Sequence, residues 1–148
     1  MPPGVPRRYL IAKLHGDDVC AIAGPGEGVP TWRTYIAVDN ANVTVDRLVS
    51  AGATVASAPA DHGDDGRAAV LTDPEGIEFR IWQARRRLGA QVVNEPGAWN
   101  FSDFHAANPT AAMAFYEKAF GWQATRTALI RDPQDAAFTA SQFTPPTG

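Results

Sequence analysis

The sequence has few of the features that mark secreted, membrane-spanning or nucleic-acid-binding proteins. Its 148 residues include one cysteine, Cys20, so no disulfide can form within the chain, which is typical of a reducing compartment. No apolar run approaches the roughly 18 residues of a membrane helix, and the first residues lack the apolar stretch of a secretory leader. The 13 basic and 16 acidic residues give a net charge of −3, which disfavours nucleic acid as a partner because phosphate binding needs clustered positive charge. We therefore expect a cytoplasmic protein with neither a membrane nor a nucleic-acid partner.

The residues that are present favour a globular fold with many short elements. The hydrophobic fraction of 45% is ordinary for a protein that buries a core, and 13 glycines and 12 prolines indicate frequent turns. The predicted fold class is α+β: paired βαβββ modules form a curved mixed sheet, with one module complete and the other composite or shortened. The predicted divisions of this single domain over 1–148 are a hairpin at 9–24, a complete module at 32–83, a linker at 84–97 and a shortened second module at 98–144.

Local signals predict the elements within these divisions. The segment 39–42 can cap a helix that follows a strand at 32–38, and Gly52 ends that helix. Asn108-Pro109 begins a second helix over 110–120, whose apolar residues occupy most of its faces and so predict deep burial. The other expected elements are a short strand at 54–56, a loop at 60–66, strands at 67–71 and 77–82 joined by the turn Asp73-Pro74-Glu75-Gly76, and a strand at 99–106.

The end of the chain repeats an earlier pattern. Asp73-Pro74, Phe79 and Gln83 recur, each 59 residues later, as Asp132-Pro133, Phe138 and Gln142. A repeat at fixed spacing indicates a duplicated module. The second copy has fewer residues between its helix and its Asp-Pro pair, which predicts that one strand has been lost or merged.

Several motifs together point to a known superfamily. They are Thr34-Tyr35-Ile36-Ala37-Val38-Asp39, Ala69-Val70-Leu71-Thr72-Asp73-Pro74-Glu75-Gly76, Ile81-Trp82-Gln83, Asn108-Pro109 and Phe120-Gly121-Trp122. In this combination the chain resembles the vicinal oxygen chelate superfamily, which includes glyoxalase I, bleomycin-resistance proteins and extradiol dioxygenases. The resemblance covers about residues 9–144 and is greatest with two-domain glyoxalase-like proteins of actinobacteria. Compared with those proteins, we expect this chain to be cut down at both ends.

The resemblance implies a divalent metal ion inside the curved sheet. In the superfamily, a His or Gln on the first strand of each module and a Glu on each last strand hold this ion, which acts as a Lewis acid. Here the last-strand positions carry Arg80 and Thr139, and the first-strand positions carry Arg33 and Phe101. Glu78 lies two residues before Arg80, on the same strand face. Because the four side chains do not bind a cation, we expect no cofactor, with a divalent metal as the alternative.

Aromatic and arginine side chains are the candidate ligand-binding residues. The predicted set is Trp32, Arg33, Arg80, Trp82, Trp99 and Phe101. The resemblance to bleomycin-resistance proteins implies a groove that stacks a planar ligand. The alternative is that the tryptophans only pack in the core, because aromatic residues dominate cores as well as pockets.

Asp103 and His105 are weaker candidates for catalysis. They lie two residues apart on the strand predicted at 99–106, which would place both on one face. In that arrangement the carboxylate could orient the imidazole as an acid/base pair. The alternatives are a hydrogen-bonded pair that lines a sheet and an exposed pair at a truncated sheet edge, because a pair without a third group is a weak catalytic signature.

Three functions are compatible with these patterns. The first is a metal-free protein that binds a small planar or aromatic ligand, the second a metal-dependent lyase or dioxygenase, and the third a non-catalytic oligomerisation or interaction module. Catalysis is not expected on the present ligand set. Incomplete modules leave sheet edges to be covered, either by strand 99–106 and its helix within the chain or by exchange of strands in a homodimer, which we favour. The arginines at 85–87 are interpreted as a solvated linker.

Overall fold

The structure, a computed structural model, describes residues 8–24, 29–123, 127–131 and 137–141, the last two ranges as backbone. It contains eight strands and two helices in these ranges. In chain order they are β1 (Arg8–Leu14), β2 (Asp17–Gly24), β3 (Tyr35–Ala37), α1 (Ala41–Ala51), β4 (Thr54–His62), β5 (Gly66–Thr72), β6 (Glu78–Ala84), α2 (Pro109–Phe120), β7 (Thr127–Arg131) and β8 (Ala137–Ser141). Within the described ranges, neither helix is long and apolar enough to cross a membrane.

The strands form three sheets. Strands β1 and β2 make an antiparallel hairpin, closed by His15 and Gly16, which both have positive φ as a tight two-residue turn requires. The main sheet has four strands in the order β3-β6-β5-β4, with β3 and β6 parallel and the other pairs antiparallel. Strands β7 and β8 form a second antiparallel pair. This mixed sheet with two helices confirms the predicted α+β class.

Helix α1 begins and ends where the sequence predicts. The side chain of Asn40 accepts a hydrogen bond from the Val43 amide at 3.1 Å, and Gln83 Oε1 on β6 accepts one from the Ala41 amide at 2.9 Å. These two acceptors satisfy amides that the first turn of a helix leaves unpaired. The helix stops at Gly52, whose φ of 115° is favourable only for glycine.

Both helices pack on one face of the main sheet and form the core there. Leu48 of α1, Leu71 of β5 and Ile81 of β6 are fully buried at its centre. Helix α2 contributes Phe115, whose ring meets that of Phe79 edge-on at 6.5 Å between centroids. The deep burial predicted for α2 holds for one face only. That face consists of Ala112, Phe115, Tyr116 and Ala119.

The turn between β5 and β6 holds α2 as well as its own strands. One carboxylate oxygen of Asp73, Oδ1, accepts hydrogen bonds from the amides of Glu75 and Ile77, each at 2.9 Å. The carboxylate of Glu75 accepts from the amides of Ala107 and Asn108, at 2.9 and 2.8 Å, directly before α2. A negative charge at this end of a helix is stabilising because it complements the helix dipole. The predicted turn is therefore confirmed, and it also positions the second helix.

Some predicted strand bounds are wrong. Residues 100–106 form no strand, and Trp99 makes only an isolated bridge with Val93, because no described strand runs alongside to pair with this segment. The strand predicted at 32–38 is limited to Tyr35–Ala37, the residues that pair with β6. The strand predicted at 54–56 instead continues to His62 along β5, so the loop predicted at 60–66 is a turn at 63–65.

The second module is described only in part. Two strands follow α2 in the described ranges, where three follow α1, and the predicted loss or merging of a strand stays a prediction. The repeated Asp132-Pro133 pair and Gln142 lie outside the described residues. The division into modules and the exchange of strands between two chains remain predictions.

Candidate functional site

The main sheet has a second face on which no described helix packs. Side chains alternate along a strand, so Phe79 and Ile81 of β6 point to the helices while Arg80 and Trp82 point the other way. Register places Tyr35 of β3 beside Arg80. We call this surface the helix-free face and define it by Tyr35, Ala68, Val70, Glu78, Arg80 and Trp82.

Arg80 occupies the centre of the helix-free face. Its side chain is largely buried, with 9% of the residue exposed. One guanidinium nitrogen, Nη2, lies 2.7 Å from Glu78 Oε1. The guanidinium carbon lies 5.6 Å from the centroid of the Tyr35 ring, a distance at which a cation is attracted to an aromatic face. Arg80 is thus held between a carboxylate and an aromatic ring.

Trp82 is the next residue along the same face, and its ring is fixed from several sides. The indole nitrogen donates a hydrogen bond to the carbonyl of Arg87 at 2.8 Å. The ring meets those of Tyr35 and His62 at 6.5 and 5.8 Å between centroids. It also covers Gly66, where an added Cβ would lie 2.5 Å from the ring and 2.6 Å from the Gln83 carbonyl. Only glycine allows the ring to lie this close to β5.

A groove of about 710 Å³ lies beside α1, and Trp82 is the one residue of the helix-free face among its lining residues. This volume is in the range of about 300–1,000 Å³ that small-molecule sites occupy. The groove runs past the ends of β3 and β6 toward the start of α1, and its lining includes Ala37, Asn40, Arg47, Trp82, Leu88 and Phe120. The lining combines the apolar side chains of Leu88 and Phe120 with the polar side chains of Asp39, Asn40 and Arg47.

Trp32 and Trp99 form a separate aromatic pair. Their ring centroids are 5.5 Å apart at an interplanar angle of 54°, although the two residues are 67 positions apart in the chain. They are 73% and 41% exposed, so neither is part of the core. Arg33 and Phe101 are also exposed. The structure therefore brings Arg80 and Trp82 together and Trp32 and Trp99 together, and the ligand-binding role of all six predicted residues stays a prediction.

The structure does not support the acid/base pair predicted at Asp103 and His105. The strand that would have placed both on one face is not formed, because residues 100–106 have no strand to pair with in the described ranges. Both side chains are exposed. An exposed pair outside regular structure lacks the fixed geometry that proton transfer needs.

The described residues do not fit the metal site that the superfamily resemblance implies. Within these ranges, no three His, Cys, Asp or Glu side chains lie close enough together to hold a metal ion. The last-strand ligand position holds Arg80, whose positive charge repels a cation, and its neighbour Glu78 is paired with that charge. Arg33, at the first-strand position, is exposed. The side chain of Thr139 lies outside the described residues.

Two of the three arginines at 85–87 are paired with acidic residues: Arg85 with Asp61 of β4, and Arg87 with Asp18 of β2 and Asp65 of the β4–β5 turn, whereas Arg86 is largely exposed. Asp61 Oδ1 accepts hydrogen bonds from Arg67 and Arg85, both at 2.9 Å. The pKa of the Asp61 carboxyl is lowered, mainly by the hydrogen bond from Arg67. The positive charge of Arg85 lowers this pKa further. Arg87 lies between Asp18 of β2, at 3.2 Å, and Asp65, at 3.7 Å, and so connects the first hairpin to the main sheet.

Tyr9 of the first hairpin lies near Tyr35 of the helix-free face. The pKa of the Tyr9 hydroxyl is raised, mainly by partial burial. Tyr35 and Asp65 raise this pKa further, whereas the positive charge of Arg87 lowers it.

Sequence reasoning missed two residues of the helix-free face. Tyr35 lies on the strand predicted at 32–38 but is not among the predicted ligand-binding residues, although strand alternation puts it on the same face as Arg33. Glu78 was considered only as a misplaced metal ligand, whereas it is the partner of Arg80 at 2.7 Å. Its spacing of two residues from Arg80 on one strand was the available signal for this ion pair.

Comparisons with known proteins agree with the fold. A family model described as a glyoxalase-like domain matches residues 7–82. "Putative glyoxylase CFP32" from Mycobacterium tuberculosis, and the protein of the same name from Mycobacterium bovis, are 42% identical over 124 residues, which cover 80% of this chain and 48% of theirs. "Anthracycline biosynthesis protein DnrV" from Streptomyces peucetius is 34% identical over 116 residues, covering 74% of this chain and 42% of its own. The chain spans less than half the length of these relatives.

Proposed function

The chain belongs to the glyoxalase-like domain family, and we propose that it binds a small planar molecule on its helix-free face without using a metal ion. The observation that carries this proposal is the position of Arg80. A buried guanidinium, paired with Glu78 at 2.7 Å, occupies the strand position where the superfamily resemblance implies a metal-binding glutamate. A cation and a guanidinium do not share a site, because like charges at short distance repel strongly.

The shape of the ligand follows from the side chains around Arg80. The rings of Tyr35 and Trp82 lie on the same face, 6.5 Å apart between centroids, and Trp82 also lines the neighbouring groove of about 710 Å³. Aromatic rings bind planar molecules by offset stacking or edge contacts. Relatives named for anthracycline biosynthesis support this class of ligand, since anthracyclines contain a planar fused-ring system. Because the chain spans under half of those proteins, their own activities are not transferred to it.

Isothermal titration with a neutral planar probe, 2-naphthamide, tests the proposal. Chelator-treated protein is expected to bind the probe with the same affinity as untreated protein. Trp82→Leu should weaken binding roughly tenfold, because it removes one stacking ring. Trp122→Leu is the matched control, since Trp122 stacks on Tyr116 and Phe120 on the helix side of the sheet. If Trp82→Leu fails to fold, Tyr35→Leu replaces it, because Tyr35 is half exposed.

Two alternatives predict different results. A metal-dependent lyase or dioxygenase would contain a divalent metal in stoichiometric amount by elemental analysis, and chelation would abolish probe binding. An interaction module without a ligand would bind no planar probe in either state. Either result contradicts the proposal.

The assembly that we propose is a homodimer. The first hairpin and the short β3 edge leave backbone groups without a strand partner in the described ranges. Such edges tend to pair with another chain. Light scattering that gives the mass of a single chain at micromolar concentration would contradict the dimer, and with it the exchange of strands.

A further inference from the structure

We infer that the ligand of the helix-free face carries an acidic group next to its planar ring, and that Arg80 binds this group. The inference rests on the proposed function and adds the charge of the ligand to it. It depends on the burial of Arg80, on its pairing with the half-exposed Glu78 and on the aromatic rings beside it.

Arg80 is held rigidly at the centre of the face. It lies on β6 between β3 and β5, with 9% of the residue exposed. Burying a guanidinium is unfavourable unless acceptors surround it. Among the described residues its charged partner is Glu78, which contacts the single nitrogen Nη2. A guanidinium has five N–H donors in one plane, and the contact with Glu78 engages one of its three nitrogens.

Glu78 shows that a carboxylate can bind to the Arg80 guanidinium. A ligand carboxylate could displace it. Its side chain is 51% exposed, and an ion pair with one exposed partner is weak because water competes for both charges. A ligand carboxylate could form two parallel hydrogen bonds with the guanidinium, which is the geometry that arginine favours. Glu78 therefore acts as an internal carboxylate that a ligand replaces.

The rings around Arg80 require that the acidic group and the planar ring belong to one molecule. The guanidinium lies 5.6 Å from the Tyr35 ring centroid, and the Trp82 ring lies 6.5 Å from the same ring. The guanidinium and the two rings are thus neighbours on one face, so a molecule whose acidic group reaches Arg80 also meets an aromatic ring. An aryl carboxylate satisfies both contacts at once, whereas a free inorganic anion satisfies only one.

A matched pair of probes tests the inference. The probes are 2-naphthoate and 2-naphthamide, which have the same ring and nearly the same shape but differ in charge. Titration calorimetry of the full chain should show tighter binding of the carboxylate by about tenfold, as expected for hydrogen bonds to a charged group. Added salt should reduce this preference and leave amide binding unchanged.

Three variants assign the preference to Arg80. Arg80→Gln should remove the preference for the carboxylate while keeping affinity for the amide. Glu78→Gln should increase affinity for the carboxylate, because it removes the internal competitor. Arg86→Gln is the control with the same loss of charge, since Arg86 lies outside the face and its side chain is 77% exposed.

The outcomes separate the inference from the proposed function. Equal affinity for both probes contradicts the inference that the ligand carries an acidic group, but it leaves the planar-ligand proposal unaffected. Failure of both probes to bind overturns the proposed function and therefore the inference with it. If Arg80→Gln does not fold, as judged by circular dichroism, Glu78→Gln decides: unchanged or weaker carboxylate binding overturns the inference.

Discussion

The Tyr116 hydroxyl donates a 3.1 Å hydrogen bond to Asp73 Oδ2, which links the middle of α2 to the turn between β5 and β6. Both residues are buried. Burial is the main cause that raises the pKa of Tyr116 well above its usual range, and the negative charge and hydrogen bond of Asp73 raise it further. Together with the hydrogen bonds that Glu75 accepts just before α2, this contact attaches the second helix to the β5–β6 turn at two points.

Tyr116→Phe should destabilise the protein by about 1–3 kcal/mol, because it leaves a buried Asp73 oxygen without its donor. Urea unfolding followed by tryptophan fluorescence measures the change. Tyr9→Phe is the control, since Tyr9 is 62% exposed, and should change the free energy of unfolding by at most about 0.5 kcal/mol. Equal losses in both variants would mean that the Tyr116 hydrogen bond contributes nothing specific.

Alkaline pH should destabilise the protein through Tyr116. In the unfolded chain a tyrosine ionises near pH 10, whereas the raised pKa keeps Tyr116 protonated when folded. As the pH rises above about 10, the unfolded state loses its proton first, so the free energy of unfolding falls. The stabilisation is complete below this pH and is lost as the pH approaches the folded-state pKa. Tyr116→Phe should reduce this slope in unfolding curves above pH 10, and an unchanged slope would contradict the assignment.

Glu75→Gln should weaken the start of α2 by about 1 kcal/mol, since it removes a charged acceptor from the amides of Ala107 and Asn108. Hydrogen exchange of the first-turn amides of α2 should accelerate relative to wild type. Glu117→Gln makes the same change of charge on the exposed side of α2 and serves as the control. Similar exchange rates in wild type and Glu75→Gln would show that the cap is not needed.

Gly66→Ala should destabilise the protein by about 1–3 kcal/mol, because the added methyl group overlaps the Trp82 ring and the Gln83 carbonyl. The same change should alter the near-ultraviolet circular dichroism and the affinity for the planar probe, since it displaces the ring. Gly24→Ala, at a strand glycine with open space around its Cα, is the matched control. A Gly66→Ala protein with unchanged stability and probe affinity would contradict the packing of Trp82 against β5.

Tertiary packing, rather than local pattern, decides the strand bounds that the sequence did not predict. The aromatic residues at 99–106 favour a strand, but a strand forms only where a neighbour supplies hydrogen bonds, and here Trp99 finds a bridge to Val93 alone. The opposite difference occurs at β4, where residues 60–62 lie in the predicted loop but pair with β5 in the structure. The candidate site follows the same rule: Arg80 and Trp82 were predicted, whereas Tyr35 joins them through the register of β3 with β6.

The sequence by itself determined the features that depend on near neighbours along the chain. Segment 39–42 and Gly52 set the ends of α1, and Asp73 closes the turn between β5 and β6. A spacing of two residues places Glu78 beside Arg80 on one strand face. Caps, turns and strand alternation are local, so a few residues are enough to specify them. Only the tertiary structure decided that the same turn caps and anchors α2 and that the Arg80 guanidinium lies near the Tyr35 ring. These contacts join residues far apart in the chain, and they depend on sheet register and helix packing, which no local pattern encodes.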